Sequence, residues 1–430
     1  MRRENTGYDV FPKIVPTERE STISIRPLFG HSRFDESSDY RVTIFPAEGY
    51  PGQTGWVTHS SRIVRPKQGM LSVSHEFGSE QEYVFRLERM ANDEPKSTLE
   101  FRLYALEADL FSCFPFKGDL HMHSNYSDGL ESPAYVASAC RRIGFDFMAV
   151  TDHRLYAPSL EAIDAFKNVD IDLRIYPGEE VHAPENPVHI INFGGDFSVN
   201  ELFKTDAYTA EVKAIQERLT DVPEGVDSYS YASCVWCYDK IRAGGGLGIF
   251  CHPYWFTWRG YDVPGSLTDM IFDRQPFDAL ELLGGYQLRE AESNTLQVAR
   301  YNEERANGKI IPIVGVSDSH GTIGSDLFGW FYTIAFAPNP DLRSIVDAVK
   351  DLKSVAVEAL PGEIVRSYGP FRLVRYSQYL LREIFPLHDE LCVEEGRLMQ
   401  AHVAGDEKAS TILGEYKGRT AALYAHLWGA

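Results

Sequence analysis

The sequence predicts an α/β barrel or a doubly wound sheet, with a β-rich segment before it and a helical one after it. Three observations predict this. Between about residues 113 and 362, apolar runs of strand length alternate with helix-like stretches. Before that, short runs alternate polar and apolar residues between turn residues. After it, apolar residues recur at helical spacing. The length of 430 residues allows two or three domains, and 43% hydrophobic with 24% charged residues suits a large core.

The first domain is expected over residues 1–112. Residues 21–25, 41–45 and 98–104 alternate, and 84–87 is a further strand candidate. Turn residues fill 46–52 and 92–95. Short strands with Gly, Pro, Asn and Asp between them predict a small sandwich or barrel. His31, His59 and His75 are far apart and mark no titratable cluster.

The central domain is expected over 113–362. Ser132 is a capping residue followed by Pro133 at the first turn of a helix, and Gly144 closes it. Strands are expected over 147–150, 173–176, 189–193, 247–251, 279–283 and 310–316. In the extension, 363–430, three helices are expected. Leu373, Tyr376, Leu380, Leu381 and Ile384 share one face. Leu391, Leu398 and His402 begin a second helix, and Ile412, Leu413, Tyr416, Leu423 and Leu427 form a third. These stripes read as packing surface, against the barrel or against another copy of the chain, so homo-oligomer contacts are expected here.

The chemistry lies at the strand ends. His121 and His123 fall in Gly118-Asp119-Leu120-His121-Met122-His123, followed by Ser127-Asp128-Gly129. On a strand they point to one side and can grip one ion. Thr151-Asp152-His153, Gly178-Glu179-Glu180, Cys251-His252-Pro253 and Ser317-Asp318-Ser319-His320 each follow an apolar run, whereas His189 leads one. In an α/β barrel such strand ends converge on one mouth. Imidazoles with carboxylates are the donor mix of Zn, Mn or Fe, and several carboxylates call for more than one ion.

This ordered set resembles the PHP (polymerase and histidinol phosphatase) superfamily, from about Gly118 to Gly321. The resemblance implies a distorted (β/α)7 TIM-like barrel with two or three divalent metals at its mouth. It implies His121, His123, Asp128, His153, Glu180, His189, His252, Asp318 and His320 as ligands, with Glu180 bridging. Asp128, His153, Asp318 and His320 are the candidate catalytic side chains, and Asp152 would orient a ligand or a water. The chain looks most like the stand-alone phosphoesterases and the carbaryl-hydrolase-type metallohydrolases of that superfamily. Where many relatives have Asn or Asp after Thr-Asp-His, this chain has Arg154. That residue either pairs with a nearby acid or faces substrate.

The expected activity is hydrolysis of a small phosphate ester by a hydroxide bridging the metals. Hydrolysis of a carbamate, ester or amide at the same centre is the alternative, and a non-catalytic metal module the second. Candidate substrate contacts are Arg154, Trp255 and Arg259, with Lys117 as a further cation. The aromatic run 254–258 either walls the substrate site or packs against the β domain. Cys234-x-x-Cys237 lacks a second pair, and Gly244 to Gly248 precedes a strand, so neither predicts a site.

The 42 basic and 62 acidic residues give a net charge of −20, which disfavours general nucleic-acid binding. The first residues carry no apolar run, no membrane-length apolar stretch occurs, and the six cysteines are scattered. A cytoplasmic enzyme with a small-molecule substrate and no membrane partner is therefore expected.

Overall fold

The computed structural model describes residues 7–49, 61–92, 94–257, 260–323 and 327–429. The first six residues, turn residues 50–52, His59, Asp93, Trp258 and Arg259 lie outside the described residues. The chain forms two compact units, one of residues 1–114, 375–388 and 418–430, the other of 115–374 and 389–417.

The first unit holds two sheets. Tyr8–Phe11, Glu20–Pro27 and Leu71–Glu76 form an antiparallel three-stranded sheet. The second sheet runs in the order Ile14–Pro16, Glu94–Leu106, Gln81–Ala91, Tyr40–Pro46, Ser61–Val64. Alternation sets which face is buried. Tyr40, Val42 and Ile44 point inward from one strand, and Tyr83, Phe85 and Leu87 from its neighbour. They share one core with Ile23, Ile25, Leu71 and Val73 of the other sheet. The end of the chain returns to this unit, where Gly429 donates its N–H to the Ile14 carbonyl at 2.8 Å.

The second unit is mixed α/β. One sheet has the order Arg174–Tyr176, Phe147–Ala149, Phe114–Asp119, Phe331–Ala337, Ser354–Glu358, Arg366–Tyr368. The other has the order Gly178–His182, His189–Phe193, Leu247–Phe250, Ala279–Leu283, Ile313–Gly315. Helix Pro133–Arg142 begins with Ser132 Oγ accepting the Tyr135 N–H at 3.4 Å. Gly144 follows it at φ +98°, a left-handed conformation that glycine adopts without strain.

Two departures from strand–helix alternation have physical causes. His189–Phe193 runs antiparallel to both neighbours. Only residues 183–188 connect it to Gly178–His182, too few for a crossover, so a hairpin forms. In the extension, the last expected helix is two: Ala409–Tyr416 and Arg419–Leu427. Gly418 at φ +81° separates them.

Candidate metal centre

The strand ends meet through two isolated parallel bridges, Met122 with Ser319 and His153 with Glu180. The first sets His121 and His123, either side of buried Met122, next to Asp318 and His320. The second sets His153 over Glu180, whose hairpin partner strand begins with His189.

The resulting distances are short. His121 Nε2 and His123 Nε2 lie 3.1 and 2.7 Å from Asp318 Oδ1. They lie 3.7 and 3.6 Å from Glu180 Oε2. His189 Nδ1 is 2.9 Å from Glu180 Oε1, and His153 Nδ1 touches Oε2. His252 Nε2 is 3.8 Å from both Glu180 Oε1 and Asp318 Oδ2. Asp128, the most exposed member, reaches His153 Nε2 and His320 Nε2 at 3.3 Å each. All nine side chains picked from the sequence are thus in one cluster.

His123 Nε2 and Asp318 Oδ1 share a hydrogen bond, but much of the remaining proximity is not hydrogen bonding. Both oxygens of Glu180, His121 Nε2, His189 Nδ1 and His252 Nε2 are buried without a hydrogen-bond partner. Buried polar atoms are normally satisfied, because an unmet donor or acceptor costs about 1–3 kcal/mol. Five such atoms aimed at one another are what a cation-binding cavity requires. His121 with His123 and Glu180, and His123 with Asp128, His153 and His320, each bring candidate ligand atoms within 4.8 Å. Nitrogen and carboxylate oxygen donors fit a borderline divalent ion.

The electrostatics agree. Burial pushes the Glu180 carboxyl up, but His189 and His153 outweigh it and hold it well below the usual range. Asp318 is likewise lowered against burial by His121 and His123. Burial works against a charge on His153, yet Glu180 and Asp128 hold it up to about 10. Against the same opposition, Glu281, Asp262 and Glu180 hold His252 up to about 10. Among the imidazoles the directions differ, since burial pushes His123 and His182 down instead. A divalent ion would compete with protons for the imidazole nitrogens.

The remaining expected residues fall in several places. Glu179 points away from Glu180 and accepts from Asn192 Nδ2 at 3.1 Å, Ser198 Oγ at 2.7 Å and Asn200 Nδ2 at 2.8 Å. Asp152 touches no ligand side chain directly. It accepts from the backbone and hydroxyl groups of Ser124 and Ser127, at 2.5–3.2 Å, and so ties down the loop between His123 and Asp128. Arg154, at φ +61°, is exposed and makes no ion pair among the described residues. It borders a pocket with His182 and Lys204. Trp255 is 5% exposed and stacks on His252 with ring centroids 4.1 Å apart. Lys117 is buried and paired with Asp389 Oδ1 at 2.5 Å, so it is not a substrate cation. Cys234 and Cys237 are buried in the core on helix Ser228–Ala243, and burial pushes the Cys234 thiol up to about 12.

Four residues escaped the sequence reading. His182 Nε2 is 2.9 Å from His153 Nδ1 and 3.3 Å from Glu180 Oε2. It lies two residues past Glu180 on a strand, and that same-side spacing is the signal that was available. Tyr286 rests on His320 with ring centroids 4.3 Å apart. Asp262 meets His252 Nδ1 at 3.2 Å, and Glu281 meets His121 Nδ1 at 3.0 Å. Glu281 sits in an apolar run, where its single charge was the only signal.

No family model matches the chain. An 82-residue stretch, 19% of the chain, is 39% identical to the DNA polymerase/3'-5' exonuclease PolX of Bacillus subtilis and spans 14% of that protein. Over 181 residues, 40% of this chain and 82% of the other, it is 24% identical to an uncharacterized protein of Methanocaldococcus jannaschii. A solved two-domain protein of Bacteroides vulgatus, described as containing a predicted PHP-like metal-dependent phosphoesterase, matches 57% of this chain and 65% of its own, with a TM-score of 0.38 and 17% identity. No helix among the described residues is long and apolar enough to cross a membrane. In its ordered motifs, in the convergence of their side chains and in the stretch shared with PolX, the chain resembles the PHP superfamily.

Proposed function

We propose that this chain is a metal-dependent hydrolase of PHP type that cleaves a small phosphate ester. The observation that carries the reading is the cluster of buried imidazole and carboxylate atoms left without hydrogen-bond partners at the strand ends. His121, His123, Glu180 and Asp318 would hold one ion, and Asp128, His153 and His320 a second. His189 and His252 face the other oxygen of Glu180 and would serve a third. When bound, Mn, Zn or Fe would polarise the ester and lower the pKa of a bound water.

The chain's own residues would do the rest. Arg154 follows His153 directly and keeps its guanidinium exposed, placed for a phosphoryl oxygen or a charged leaving group. Asp152 fixes the loop that carries Asp128. The two sheets support one distorted seven-stranded barrel. Such a barrel would take Phe114–Asp119, Phe147–Ala149, Gly178–His182, His189–Phe193, Leu247–Phe250, Ala279–Leu283 and Ile313–Gly315 in that order, and the two isolated bridges between the sheets support it. The named exonuclease activity of PolX, a phosphodiester cleavage, supports phosphate chemistry, while the net charge of −20 favours a small substrate over a nucleic acid.

One observation favours a carbonyl substrate instead. Trp255 and Tyr286 lie with ring centroids 5.8 Å apart and cover His252 and His320 respectively, an apolar border suited to an aryl carbamate or ester. The test is a panel of phosphomonoesters, phosphodiesters, aryl carbamates and aryl esters assayed with Mn, Zn and Fe. Turnover of a phosphate ester together with at least two metal equivalents per chain supports the proposal. Turnover of only the carbamate or ester moves the assignment to that class. Less than one metal equivalent, with no activity on any substrate, refutes both.

A further inference from the structure

Glu281 occupies the middle of strand Ala279–Leu283, whose residues are all buried. A carboxylate there is costly unless it is paired. Its Oε2 lies 3.0 Å from His121 Nδ1. The other nitrogen of that ring, Nε2, lies 3.1 Å from Asp318 Oδ1 and has no hydrogen-bond partner. The carboxylate is therefore behind the imidazole, and the unsatisfied nitrogen is in front. Room for it is built in, since a Cβ on Gly284 would collide with Glu281 Oε1. The same two-sided arrangement recurs at His252, where Nδ1 meets Asp262 Oδ2 at 3.2 Å and Nε2 is unpartnered.

We propose that Glu281 is a positioning residue. It accepts the Nδ1–H of His121, which fixes the tautomer and presents the Nε2 lone pair to a divalent cation. This inference rests on the metal-centre reading and adds to it. A neutral acceptor would orient the ring equally well. A carboxylate, a stronger acceptor than a neutral amide, also makes the imidazole a better donor to the metal, and such outer partners are worth about 10- to 100-fold in metal affinity. That gain is the physical reason for an acidic side chain in an otherwise apolar strand.

The test compares wild type, Glu281→Gln and Glu281→Leu after stripping of metal. Zinc affinity is measured by chelator competition, and the thermal midpoint of each stripped protein is recorded. Glu281→Leu is expected to lose about 10- to 100-fold in affinity. Glu281→Gln, which keeps an acceptor oxygen, is expected to lose less, with a stripped midpoint like that of wild type. Wild-type affinity in both variants would overturn the proposal. So would an affinity loss that follows a lowered midpoint of the stripped protein, because that marks a purely structural role. If wild type binds neither zinc nor manganese nor iron, the metal-centre reading falls, and this inference with it.

Discussion

Two clusters of buried charge lie in the second unit, and they are built in opposite ways. Around Arg141, charges meet donors. Its Nε donates to Glu395 Oε2 at 2.6 Å, and its Nη1 to Asp146 Oδ1 at 3.0 Å and the Phe145 carbonyl at 2.9 Å. The second oxygen of Glu395 accepts the Asp172 N–H at 2.5 Å, and that of Asp146 accepts the Lys117 N–H at 3.0 Å. Around Glu180 the arrangement is different. Imidazole nitrogens approach its oxygens, yet neither oxygen receives a hydrogen bond. Burial of charge alone therefore does not mark a site. What distinguishes the second cluster is that both oxygens of its central carboxylate and three imidazole nitrogens go unsatisfied by the chain, against the single Arg141 Nη2 of the first, which leaves a place for a cation.

The comparison is sharpest at Glu180. Glu180→Gln removes the charge shared by at least four imidazoles and should lose at least one metal equivalent. Activity should fall by more than about 100-fold, the upper end of what outer-sphere changes cost. Elemental analysis and kcat/KM check this, and retention of full metal would erase the distinction between the clusters. Arg141→Met should do the reverse. Removing one partner of this largely satisfied buried network, in which only Arg141 Nη2 lacks a hydrogen bond, costs about 3–5 kcal/mol of stability, read by urea unfolding, while the folded fraction keeps its metal. Next in size is chelation. Stripping metal from wild type should lower the thermal midpoint, and free ion at 100 times its Kd should restore about 2.7 kcal/mol. A midpoint indifferent to chelator would mean that the Glu180 cluster is as self-sufficient as the Arg141 one.

The sequence made the Glu180 cluster legible because metal chemistry confines it to a few residue types at strand ends. His121, His123, Asp318 and His320 could be placed together before any coordinates, since strand side chains alternate and barrel strand ends converge. Residues acting from behind were harder to see. Glu281 and Asp262 are ordinary acids in sequence, and only the fold brings them to the Nδ1 atoms of His121 and His252. The Arg141 network was invisible for the same reason, joining residues 254 positions apart. Strands Phe331–Ala337 and Ser354–Glu358 are not legible in the sequence, because runs buried almost throughout carry no alternation to distinguish strand from helix. For Trp255 the sequence leaves a substrate wall and packing equally open, and only the fold shows that it stacks on His252.

A smaller effect separates the two adjacent glutamates. Glu179 is as buried as Glu180, but it belongs with the satisfied groups, since Asn192, Ser198 and Asn200 all donate to it. Glu179→Gln turns an acceptor into a donor facing donors and should cost about 1–3 kcal/mol of stability. Metal content and activity of the folded protein should stay near wild type. A variant that keeps its stability and loses its metal would show that the roles of the neighbours are exchanged.

The smallest expected effect lies at the edge of the open cluster. Arg154 is exposed, unpaired among the described residues and next in sequence to His153. Its left-handed backbone, at φ +61°, is uncommon for a residue with a Cβ, and such strain is often kept where a side chain must be aimed. If the substrate is a phosphate ester, inorganic phosphate should compete with it, because product and substrate share the same metals. Arg154→Ala should then weaken that inhibition several-fold, less than the tenfold that about 1.4 kcal/mol represents, since water screens an exposed cation. Stability and metal content should not change. Competitive inhibition constants for phosphate in wild type and variant decide the matter. Equal constants would remove Arg154 from the substrate site, and absence of phosphate inhibition in wild type, with turnover of an aryl carbamate or ester, would assign the open cluster to carbonyl chemistry.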